Sequence, residues 1–204
     1  GEKTVVFQKM IHIAKPEYYN NITTEIKGYK NNWYVYYFEW VKKGSDENTD
    51  KFNKALWIEF DENLYNNLSK LYWLVPQDNT KFLNIVNDND FNIDMNMDNI
   101  ISLYEQSKKE QNILSEYSRP IDMNSEILLK LSELNSRQLQ LLQLFNLSVI
   151  STLTKNDDFL HIVQNNFWNK ILLNTLLDGR NKVIIEKITT TDYKKIFATY
   201  GALH

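Results

Sequence analysis

WYVYYFEWV, residues 33–41, is aromatic or β-branched at every position but Glu39. Side chains of this kind lose little freedom in an extended chain and crowd a helix, so the stretch predicts a strand. Its two faces are Trp33/Val35/Tyr37/Glu39 and Tyr34/Tyr36/Phe38/Trp40. Leaving both in water would expose a sticky aromatic strip, so one face must be covered. Upstream, KTVVFQKMIHI (residues 3–13) reads as a strand broken by Pro16 and the Asn20-Asn21 pair, and ITTEIK (22–27) as a short strand ending at Gly28. Downstream, residues 42–53 read as a polar turn and ALWIEF (55–60) as a return strand. Together they predict an N-terminal antiparallel meander. The period then changes: Leu64, Tyr65, Leu68, Leu71 and Tyr72 recur at helical spacing between an Asp61 cap and Pro76, which predicts one helix covering the sheet.

Residues 77–98 (QDNTKFLNIVNDNDFNIDMNMD) are polar and acidic, with single apolar residues and no sustained period. They predict a boundary, dividing the chain into a β-rich part (1–86), an acidic linker (87–98) and a helical part (99–204). In the last part, apolar spacing predicts helices over 99–117, 125–134 (capped by Asn124), 136–150 and 158–177, the last being one helix or two broken near Asn165 and ending at Gly179 as C′ residue. Residues 182–188 and 193–199 alternate like the strands of a hairpin around Thr189-Thr190-Thr191-Asp192. The fold class expected is α+β.

A chain of 204 residues, 43% hydrophobic and 13% aromatic, has enough apolar material for a core and is not disordered by composition. No apolar run reaches the roughly 20 residues of a membrane span, and no signal peptide is visible. A nuclear or cytoplasmic location is therefore expected, although Gly1 in place of Met points to residues removed ahead of it. The absence of Cys excludes disulfides, thiolate zinc sites and cysteine nucleophiles. The 26 Asn, and 20 Lys against 3 Arg, fit an AT-rich genome and carry no functional signal. The net charge of −3 is uneven: residues 87–135 carry 4 basic and 10 acidic side chains, residues 136–204 carry 8 and 5. That asymmetry is too weak to announce nucleic-acid binding.

Candidates for chemistry are sparse. His12 alternates with Ile11 and Ile13 and reads as a solvent-side strand residue, and His161 as a half-buried helix residue. Neither has a second ligand at helical spacing, so no metal or cofactor is expected. Asp88, Asp90, Asp94 and Asp98 are spaced as if for calcium but lack the loop's glycine and its twelfth-position Glu. With 5 Gly, no phosphate-binding loop or nucleophile elbow can be found. Non-catalytic docking in a larger assembly is the function expected, through one face of Trp33, Tyr34, Tyr36, Tyr37, Phe38 and Trp40, because aromatic anchors dominate protein interfaces. A small enzyme with an unrecognised site is one alternative.

The other alternative is direct nucleic-acid binding. Asn166, Asn169, Lys170 and Asn174 form one polar stripe on an otherwise apolar helix, and Lys182, Lys187, Lys194 and Lys195 lie on the expected hairpin. Helices followed by such a hairpin, over residues 158–201 (DFLHIVQNNFWNKILLNTLLDGRNKVIIEKITTTDYKKIFATYG), resemble the C-terminal winged helices of the middle subunits of replication protein A and the telomeric CST complex. The resemblance implies a winged-helix-like C-terminal region and protein docking on a DNA-maintenance assembly.

Overall fold

A computed structural model describes residues 2–56, 63–110, 122–153 and 170–201. Its elements mix helix and sheet, as an α+β class requires, but the main sheet is parallel. Four strands, β1 (Thr4–Met10), β3 (Val35–Phe38), β5 (Phe91–Asn92) and β6 (Lys195–Gly201), lie in the order β1-β6-β3-β5 and all run the same way. The only antiparallel pairing among the described residues is a small ribbon, β2 (Ile13–Ala14) with β4 (Val75–Pro76). The antiparallel meander is thus corrected.

Parallel neighbours need crossovers, and the chain supplies them as helices. After β1 comes α1 (Pro16–Asn31), where Pro16 occupies the first turn and starts the helix instead of breaking a strand. Tyr19, Ile22 and Ile26 recur at helical spacing and are buried against Met10, Tyr36, Phe82 and Phe197 on one face of the sheet. The expected strand 22–27 is therefore the core-facing stripe of α1. Trp33, read as the start of a strand, closes this helix: its φ is 65°, its N–H bonds to the Lys30 carbonyl, and the Tyr34 N–H bonds to the Tyr29 carbonyl. That is a Schellman closure, sealed by the Tyr29 and Tyr34 rings at 4.9 Å.

The polar turn expected over 42–53 is largely a helix, α2 (Asp46–Leu56). Its first turn is fixed by Asp98, which accepts from the Ser45 N–H (2.9 Å) and from Asn48 Nδ2 (2.7 Å). Ala55 and Leu56 end α2, and the rest of the expected return strand lies outside the described residues. Next come α3 (Leu64–Lys70) and α4 (Asn79–Leu83), then α5 (Met97–Glu110), α6 (Met123–Ser132, capped by Asp122 and not by Asn124) and α7 (Ser136–Leu153). Finally α8 (Lys170–Asn174) runs through a π-helical turn, Thr175–Gly179, into α9 (Arg180–Thr190).

Gly179 does not stop this last helix, and no hairpin follows it. Residues 182–188 are the middle of α9, whose Ile184 and Ile188 pack with Val5, Val35, Tyr37, Ile196, Ala198 and Tyr200 on the other sheet face. Lys3 Nζ caps its end by donating to the carbonyls of Ile188 (2.6 Å) and Thr191 (2.8 Å). β6 then inserts between β1 and β3, so the first and last parts of the chain share one sheet. Residues 87–98 do not behave as a linker. They contain β5, and Asp90 is ion-paired with Lys30 while accepting the Tyr36 N–H at 3.1 Å.

Candidate active site

Because all four strands of the sheet are parallel, their carboxyl ends fall on one side, and each delivers a side chain there. His12 follows β1 by two residues, Glu39 follows β3 directly, Asp94 follows β5 by two, and Tyr200 is the last residue but one of β6. Helix α9 brings Arg180 to the same place. The Arg180 guanidinium forks onto Asp94, with Nε to Oδ1 at 2.8 Å and Nη2 to Oδ2 at 2.7 Å, and Nη2 also meets Glu39 Oε1. The other Glu39 oxygen accepts the N–H of Gly201. One carboxylate thus ties the ends of β3, β6 and α9 together. The Asp94 side chain is 0% exposed and that of Arg180 9%.

Local structure fixes each partner. Asp94 is aimed by the turn after β5, where Ile93 donates to the Phe38 carbonyl (3.1 Å) and the Asp94 N–H caps back onto Asn92 Oδ1 (3.0 Å). The backbone of His12 is held where its carbonyl accepts from the Gln77 N–H at 2.8 Å, beside the β2–β4 ribbon. Its imidazole stacks on Tyr65 at 4.5 Å and 25°, while the residue as a whole remains exposed.

The charges act on one another. Surrounding protein lowers the pKa of His12; Glu39 pulls the other way and Arg180 reinforces the drop, so the imidazole is neutral at pH 7. Burial, with a smaller push from Glu39, raises Tyr65 to about 12. Burial pushes the Asp94 carboxyl above the usual carboxylate range, and the Arg180 fork opposes it. Burial also works against the charge of Arg180 but is outweighed by Asp94 and Glu39, so the guanidinium stays protonated. A fork on both oxygens needs the ionised carboxylate as acceptor.

The residues singled out in the sequence fare differently. Tyr36 and Tyr37 are 1% and 3% exposed in the middle of the sheet, and Tyr34 and Phe38 pack against the α1 cluster. This corrects the idea of one outward aromatic face. Only Trp33 of the strip is freely exposed, at 88%, with Trp40 half-buried. Lys182, Lys187, Lys194 and Lys195 are exposed, but the first two lie on α9, Lys194 just before β6 and Lys195 at its first position, not on a hairpin. Asn174 is exposed in α8, while Asn166, Asn169 and the Lys170 side chain lie outside what is described. Among the described residues no cluster could hold a metal ion, and no helix is long and apolar enough to cross a membrane. Two adjoining grooves of about 630 and 690 Å³ lie between α3 and α6–α7, where Lys70 is the sole titratable lining residue. Neither is lined by the charge cluster, and displaced pKa values are what mark that cluster as a candidate reaction centre.

No protein-family model, curated protein or solved structure matches the chain. Fold and site alone therefore define its class: a parallel-sheet protein with a buried charge cluster and a neutral histidine at the strand carboxyl ends.

Proposed function

We propose that this chain is an enzyme, catalysing hydrolysis or group transfer on a polar substrate bound at the carboxyl ends of the parallel strands, with His12 as proton acceptor. One observation carries the reading: His12, Glu39, Asp94, Tyr200 and Arg180, from β1, β3, β5, β6 and α9, converge on that one end. Open parallel sheets place ligands in that crevice, and groups with displaced pKa values cluster at reaction centres. A purely structural tie needs only Arg180, Asp94 and Glu39. His12 adds nothing to that tie, yet it is neutral, open to solvent and within the field of both charges.

In this reading Asp94 and Gly201 hold Arg180 and Glu39 in place. His12 takes a proton from the attacking water or hydroxyl and returns it to the leaving group. The test is turnover of carboxyl-ester, phosphoester and peptide substrates by the wild type, His12→Gln and Glu39→Gln. The rate should rise with pH to a plateau, with a midpoint below 6.5 set by His12. His12→Gln should flatten that profile and cut kcat about a hundredfold or more. Turnover that His12→Gln leaves unchanged removes the proposal.

A second reading, docking in a larger assembly, is favoured by a different surface. Helices α6 and α7 leave Leu128, Leu129, Leu141, Leu144 and Phe145 exposed, and Leu128 lines a groove with the exposed Trp73. Large apolar side chains left in water in such number are what interaction sites present. Retention of partner proteins by the wild type at high salt, lost in Leu141→Glu/Phe145→Glu, would support it. Retention of nucleic acid that falls steeply with salt would support direct binding through the exposed lysines instead.

A further inference from the structure

Strand β1 stands at one end of the sheet order, and among the described residues no strand lies along its outer edge. Thr4 donates its N–H to the Lys194 carbonyl at 2.8 Å while registered with Lys195. In a parallel ladder such a residue, and every second one after it, turns both backbone groups to its neighbour. Thr4, Val6, Gln8 and Met10 therefore face β6, and Val5, Phe7 and Lys9 turn theirs outward. The Lys9 carbonyl already accepts from the Tyr18 hydroxyl and Gln8 Nε2. Among the described residues, nothing meets the backbone groups of Val5 and Phe7 or the Lys9 N–H. The strand has no Pro, Gly or bulge, and Phe7 at its centre is 57% exposed. Edges that must stay single are normally blunted by such devices or by charge, and here the one exposed charge, Lys9, sits near the end of the strand and leaves its centre open.

We propose that β1 pairs antiparallel with β1 of a second copy, about a two-fold axis normal to the sheet at Phe7, joining the two parallel sheets into one. The register follows from charge and pleat. Centring on Val6 would set Lys3 against the mate's Lys9, a like-charge pair. Centring on Phe7 uses every outward residue without such a clash. Phe7 exchanges both backbone bonds with its mate, the Lys9 N–H reaches the mate's Val5 carbonyl, and the two exposed rings meet on one face. A two-fold pairing also consumes both edges and so closes at a dimer. The match of the strand to itself, in a register that keeps lysine from lysine and puts the exposed Phe7 on the axis, is what designates a second copy as the occupant.

The chain contains no cysteine, so Phe7→Cys introduces a single thiol at the axis. Directly paired residues of this kind have Cα atoms about 5.5 Å apart, within the disulfide range. With oxidised glutathione, Phe7→Cys should convert almost wholly to a covalent dimer. Thr4→Cys, whose paired residue is Met10 of the mate, should not. The wild type should sediment as a dimer at the same concentration. Phe7→Pro removes an outward donor without touching the β1–β6 ladder, and should weaken the dimer at least tenfold while the circular dichroism stays unchanged. A wild type that sediments as a monomer overturns the proposal. So does a dimer whose Phe7→Cys and Thr4→Cys forms crosslink alike, or one that Phe7→Pro leaves intact. None of these readouts depends on catalysis, so they stand or fall apart from the enzymatic reading.

Discussion

Arg180 is one of 3 arginines in the chain, and its guanidinium reaches the carboxylates of both Glu39 and Asp94. Removing it leaves a carboxylate at Asp94 with no exposed side-chain surface. Arg180→Ala should therefore cost about 3–5 kcal/mol, the scale of an uncompensated buried charge. Urea unfolding measures it, and a loss below about 1 kcal/mol would mean that water reaches the cluster. At His12 the folded pKa lies below the unfolded value of 6.5, so the unfolded chain takes up its proton first as pH falls. The stabilisation from this group is full above 6.5 and declines below it, towards the folded pKa. The wild type should thus lose stability relative to His12→Gln as pH drops below 6.5; an opposite slope would mean that Glu39 outweighs the desolvation of the imidazole by the protein around it. Trp33 holds a φ of 65° that L side chains resist, and its own side chain is nearly all in solvent. Trp33→Gly should raise stability in urea unfolding by about 0.5–1 kcal/mol, and a loss would mean that the Trp33 side chain contributes more than its backbone costs. None of these roles could be read from the sequence. Glu39 stood inside an aromatic strip and Asp94 inside an acidic run, and each acquires meaning only from what meets it.

At the level of helices and strands, periodicity was a good guide where one face alone is buried. The spacing in α5 is legible for that reason, with Ile100, Ile101 and Tyr104 buried, whereas α6 and α7 show the helical spacing although Leu128, Leu129, Leu141, Leu144 and Phe145 stay exposed. It misled where β-branched residues form the buried stripe of a helix, as in residues 22–27 of α1, because helical and alternating spacing coincide over so short a window. It misled again over 182–188, where isoleucines facing the sheet from α9 mimic a strand. The π-helical turn at Thr175–Gly179 carries the last helix past Gly179 and directly precedes Arg180, and no residue pattern announced it. Helix α2 depends on a partner far along the chain. A Cβ on Gly44 would lie 2.5 Å from Asp98 Oδ1, the atom that caps Ser45 and Asn48. Gly44→Ala should cost about 1–2 kcal/mol, the range of a lost helix cap. In an Asp98→Ala background it should cost little more, since the two changes remove one interaction. Additive costs would show that the clash acts elsewhere.

For the molecule as a unit, β6 is decisive, since it lies between β1 and β3 and buries Ile196, Phe197, Ala198 and Thr199. A chain ending at Thr190 should lose cooperative thermal unfolding throughout, including the first 110 residues; a folded N-terminal fragment would refute that. For the same reason protease should spare residues 87–98, which Lys30 and Arg180 anchor through Asp90 and Asp94. The sequence alone determined the mixed class, a strand within the aromatic run 33–41 and the helices α3, α5, α6 and α7, because these depend on periodicity and propensity within a few residues. The parallel direction of the strands, the insertion of the last strand between the first and third, and the gathering of His12, Glu39, Asp94 and Arg180 were decided by tertiary structure. Strand direction and order depend on which apolar faces bury each other across more than a hundred residues, and local pattern contains no record of that choice.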